Sequence, residues 1–191
     1  MDIFNLLTSQ LNDPNVLNKL SRQASVSPEK AKEITAYGLP ALLQALNRNS
    51  SSASGAESLL AALDQHKDDD VDDVNIFLDK VNTAEGGKML QHIFSGNNER
   101  VQSNIAKQTG LKQAQVSGVL TQLAPMLIGM LGKKKHANNL DQGGISSLLG
   151  SALTHGSEGG IMDIASNLLD SDNDGSIIDD VGGLLGKFFK K

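Results

Sequence analysis

The chain has 191 residues, a formal net charge of −5, no cysteine, no tryptophan and a single tyrosine. That length can bury a real core in one domain or two small ones. The acidic balance argues against generic attraction to nucleic acid, which requires a basic footprint. Lack of cysteine excludes a disulfide framework, a thiolate nucleophile and a thiolate metal site.

The apolar residues are mostly Leu, Ile, Val and Ala, the palette of packed helices. Met1 to Leu7 offers neither a positively charged start nor a long apolar run, so no secretory signal is expected and the chain reads as cytoplasmic. Ser27 followed by Pro28 and Glu29 predicts a helix start, with an N-cap, a first-turn proline and an acid at the positive helix end. Pro40 falls well inside the helical pattern after that start, where a kink or break is expected. Asn49 to Gly55 is polar and is read as a mobile connector. Asp68 to Val74 lacks the alternation and glycine of a metal loop and is read as a charged linker.

Gly86 to Gly96 reads as a short amphipathic helix that ends at glycine and opens a second unit. Gly110 then closes a helix, and Val116, Val119, Leu120, Leu123 and Leu127 make an apolar stripe. Met126, Ile128 and Met130 widen that stripe nearly all round, which predicts a central buried helix. Its greasiest part, Leu123 to Leu131, is far shorter than the ~20 residues of a spanning helix. Pro125 repeats the expectation of a kink. Lys133 to Lys135 and His136 follow a helix end, where cations are favoured. They also open a minor reading as a nucleic-acid adaptor. Lys133 to Gly144 is read as a second polar, mobile connector.

The strongest chemical signal is Asp170 to Asp180. As a calcium loop, Asp170, Asp172 and Asp174 take positions one, three and five, Gly175 makes the turn, and Ser176 offers its carbonyl. The pattern fails at position twelve, where Val181 replaces the closing Glu. Asp179 and Asp180 are the residues that a tighter loop could bring round to complete the shell. The competing reading is a solvated acidic turn that favours the N-terminus of the last helix. Ca²⁺ in a structural role, docking the helix of Leu184, Leu185, Phe188 and Phe189, is the cofactor expected. Lys187, Lys190 and Lys191 beside that apolar face also suit an anionic membrane surface.

The chain carries an internal repeat. Leu20 to Val26 lies on Ile105 to Leu111, and Leu39-Pro40-Ala41-Leu42-Leu43 on Ala124-Pro125-Met126-Leu127-Ile128, an offset of 85 residues (40 to 125). Ser58-Leu59-Leu60 and His66 find counterparts in Ser147-Leu148-Leu149 and His155. The expectation is an all-α, multi-helical protein with an N-terminal unit over 1–82, a related unit over 83–160, and an acidic loop and terminal helix over 161–191. Whether the two units share a core stays open.

Gly87-Lys88-Met89-Leu90-Gln91-His92-Ile93-Phe94, the Leu123-Ala124-Pro125 helix and the Asp-rich loop ending in Asp179-Asp180 resemble the bacterial domain-of-unknown-function family 937, related to the YidB-like helical proteins. The resemblance implies an all-helical bacterial protein with no assigned activity, and similar chains that sit beside cell-envelope modules make an envelope association an alternative. His66, His92, His136 and His155 show no metal-ligand spacing, and the glycines form no phosphate-binding fingerprint. His66 and His155 read as helix-end residues facing carbonyls, and His92 as a packing residue. No nucleophile, base and stabiliser set can be assembled, so a non-enzymatic structural or protein-interaction role is expected, through a protein partner or self-association.

Overall fold

The computed structural model describes residues 3–155 together with 168–169, and every regular element among them is an α-helix. In chain order they are α1 (Ile3–Leu11), α2 (Pro14–Ala24), α3 (Pro28–Ser50), α4 (Ala53–Gln65), α5 (Val74–Lys80), α6 (Thr83–Ile93), α7 (Asn98–Thr109), α8 (Gln113–Ala137) and α9 (Gln142–His155). The acidic loop at 170–180 and the terminal helix expected after it lie outside the described residues.

Local chemistry sets most boundaries. The Asp13 side chain accepts from the Asn15 N–H at 2.7 Å, with Pro14 in the first turn of α2. Ser27 caps α3 by accepting from the Lys30 N–H, as its sequence predicts. The Glu29 carboxyl is held below the ordinary carboxylate range by a backbone hydrogen bond and by the Ser27 hydroxyl. Gly110, with φ of 68°, ends α7 in the left-handed conformation that favours glycine. Lys112 then opens α8, its N–H donating to the Gln115 side-chain oxygen at 3.1 Å.

One hydrophobic core runs through the described residues and draws on both halves of the chain. At its centre lies α8, in which every residue from Gln122 to Gly132 is buried. Around it pack α2, α3, α4, α6 and α7, while α9 covers the other side of α3. The two expected units therefore share one core. By length and composition α8 could cross a membrane, a possibility the nine-residue reading missed because polar residues interrupt the run, but most of its apolar window is buried inside the fold.

Several expectations change. Asn49 and Ser50 form the last turn of α3, and Ala53 to Gly55 the first turn of α4, so the first connector is only Ser51 and Ser52. The second shrinks likewise, because α8 continues to Ala137 and α9 begins at Gln142. Polar composition reports solvent exposure there, and short capped turns satisfy it as well as mobile loops do. The charged run links α4 to α5, as expected, and is also packed: Val71 and Val74 are buried, and Asp73 caps α5 by accepting from the Asn75 N–H at 2.9 Å. The short helix starts earlier than expected, at an Asn82 cap, and ends before Phe94.

Neither proline breaks its helix. Pro125 has no N–H for the Thr121 carbonyl, and the backbone of Gly86 on α6 lies directly against that carbonyl. Loss of the helical bond on that face is thus matched by close approach of a second helix, where a Cα–H can face the oxygen.

One buried polar side chain carries a stability prediction. Gln122 is fully buried, with Nε2 donating to the Leu20 carbonyl at 3.3 Å and the Gly118 carbonyl at 2.6 Å, whereas its Oε1 finds no partner among the described residues. A buried oxygen without a partner costs about 1–3 kcal/mol. Gln122→Met keeps the volume and removes that oxygen, so its thermal unfolding should fall within ~1 kcal/mol of the parent or above it. Gln122→Ala leaves a cavity and should lose ~2 kcal/mol or more.

Candidate functional site

A half-open groove between α4 and α6 has a volume of about 580 Å³. The end of α3 supplies Leu46, α8 supplies Ile128, and Leu59, Met89 and Ile93 complete an aliphatic floor. One wall is the outward face of α4, where Ser54, Ser58, Ala61, Ala62 and Gln65 recur at three and four residue steps. That wall is uncharged and made mostly of small side chains, a smooth surface on which a second helix can approach closely.

The far end of the groove is held in place by polar contacts. Asn49 Nδ2 donates to the Ile93 carbonyl at 3.0 Å, and the Ser95 hydroxyl lies 3.4 Å from Asn49 Oδ1. This ties the turn after α6 to the last turn of α3. His92 lines the same end and is exposed, so its packing role is limited to the rim.

A second, smaller cavity of about 230 Å³ lies beside Pro125. His66, the C-cap of α4, is mostly buried there, with Nδ1 at 3.0 Å from Asp69 Oδ2 and Nε2 at 3.7 Å from Glu85 Oε1. The expectation that His66 faces helix-end carbonyls is corrected: its position at the helix end stands, but the ring faces two carboxylates. The reason is tertiary, since the Asp69 turn and α6 both fold back over the end of α4. The cavity carries no Ser, Thr or Cys. Among the described residues no three His, Cys, Asp or Glu side chains converge to hold a metal ion.

The basic cluster meets acids of the same chain. Lys133 pairs with Asp72 at 2.6 Å, and Lys135 with Asp64. The Lys135 hydrogen bond holds the Asp64 carboxyl below the ordinary carboxylate range. What this exposed pair contributes is present at neutral pH and is lost as pH falls through that lowered value, and salt screens it.

Of the six residues proposed for metal binding, Asp170, Asp172, Asp174, Ser176, Asp179 and Asp180, all lie outside the described residues, as does the His155 side chain. Sequence reasoning passed over the groove. The one available signal was the charge-free face of α4 at 54, 58, 61 and 65, which is unusual for a helix face turned to solvent.

The family described as bacterial protein of unknown function (DUF937) matches residues 5–134, and the chain belongs to it. No curated protein and no solved structure matches the chain.

Proposed function

We propose that this DUF937 protein catalyses no reaction and serves as a helical interaction module, whose groove between α4 and α6 receives an apolar helix of a protein partner. The observation that carries this reading is the pairing of an aliphatic floor with a charge-free wall of small side chains. Helix-in-groove recognition uses such a surface, with large apolar anchors at three and four residue steps filling the floor.

The test is fluorescence anisotropy with a labelled amphipathic peptide that carries Leu and Phe on one face. Saturable binding is expected, with affinity at least tenfold weaker in Ser58→Arg, whose site is exposed on the α4 wall. Equal binding to the parent and Ser58→Arg, with matching circular dichroism, would remove the groove from consideration.

Duplication of an ancestral unit belongs to the same proposal. In its support, α3 and α8 begin 85 residues apart (28 to 113), each with its proline at the same depth. In addition, α2 packs on α8 while α7 packs on α3, the reciprocal exchange that two related units sharing a core would make.

For the acidic loop we keep calcium as the proposed ligand, on the alternation of Asp170, Asp172 and Asp174 before Gly175. Calorimetric titration of chelator-treated protein should show uptake of one ion that is lost when the three Asp residues become Asn. Flat titrations for both proteins would leave the run a solvated turn.

A further inference from the structure

Between the groove and the end of the described chain there is a short path. Leu168 and Leu169 are buried, and the Leu168 carbonyl accepts from Asn104 Nδ2 on α7 at 3.3 Å. Asn104 lies about 9 Å along α7 from Asn98, at 1.5 Å rise per residue. Asn98 in turn opens α7 three residues after Ser95, which lines the groove. The distance from Leu168 to the groove is therefore under about 25 Å, from helix rise and chain reach.

The chain continues for 22 residues beyond Leu169 (170 to 191). Ten extended residues span about 33 Å, so the stretch from 170 to 180 reaches the groove with length to spare. Next along the chain comes Val181-Gly182-Gly183-Leu184-Leu185-Gly186-Lys187-Phe188-Phe189. This segment is large and apolar where the α4 wall is small. Its only charge is a lysine, and the groove lining presents no fixed cation to repel it.

We infer that the groove's resident occupant is this chain's own segment 181–189, with Leu184, Leu185, Phe188 and Phe189 as anchors, so that a partner helix must displace it. The inference rests on the proposed role of the groove in binding a helix. A tethered segment competes at an effective concentration in the millimolar range. The groove is thereby shielded from weak apolar ligands and opened only to tight ones.

Because the chain has no cysteine, the full protein can be tested by paired substitution. Ser58→Cys with Phe188→Cys is oxidised mildly, and Ser58→Cys with Asn12→Cys serves as a remote control. A disulfide within one chain, faster than in the control, is the expected result. Linkage only between chains, or a rate no faster than the control, overturns the inference.

A second measurement separates the tail from the groove's general capacity to bind a helix. The labelled peptide should bind the Phe188→Asp, Phe189→Asp double variant at least tenfold more tightly than the parent. Equal affinity for both proteins overturns the tail as occupant while the groove stands. Binding to neither overturns both.

Discussion

Gly86→Ala is expected to destabilise the protein by at least ~3 kcal/mol, the upper end of what overpacking costs. The reason lies in two helices that meet backbone to backbone. A Cβ at Gly86 would overlap the Thr121 carbonyl oxygen and sit 2.8 Å from the carbonyl carbon and 3.1 Å from Cα, none of which is a flexible side chain. Relief requires α6 to move off α8, and those two helices make the most extensive pairing in the fold. Thermal unfolding of a protein this size shifts about 2–4 °C per kcal/mol, so a drop of roughly 6–12 °C is the readout. Gly87→Ala is the control. A Cβ there meets nothing within 4 Å, and alanine in a helix interior is favoured over glycine by about 0.5–1 kcal/mol. Adjacent glycines should thus respond with opposite sign. If Gly86→Ala melts at or above the parent temperature, the close approach of α6 to the proline-bearing stretch of α8 is wrong.

Phe94→Ala should cost ~3–5 kcal/mol, the range for deleting a buried aromatic side chain. Phe94 is fully buried at the end of α6, and its carbonyl accepts from the Asn97 N–H at 2.9 Å in the turn toward α7. Its neighbours Ile93 and Ser95 both line the groove. Two readouts should therefore move together: chemical denaturation, and affinity for the amphipathic peptide at temperatures where the variant is still folded. Phe94→Leu keeps most of the volume and should retain binding with a loss near ~1 kcal/mol. Full affinity in Phe94→Ala would show that the groove does not depend on the packing beneath its end.

Much of the architecture was legible before any fold was known. Helix starts at Ser27-Pro28 and the stop at Gly110 rest on local hydrogen bonding that needs no partner element. The central burial of α8 followed from apolar residues on nearly every face. The connectors went the other way. Ser52, Asp73 and Asn82 are polar residues that cap helices α4, α5 and α6, so polarity marked helix starts as well as loops.

By itself, then, the sequence determined a helical fold for the described residues, the start of α3, the stop of α7 and the apolar centre of α8, because caps and periodicity are interactions between residues close along the chain. Only the tertiary structure decided that both halves share one core, that His66 stands between Asp69 and Glu85, and that α3, α4, α6 and α8 together leave a groove. Those features depend on which surfaces meet, and a surface such as the charge-free face of α4 acquires meaning only when the helices on either side of it are in place.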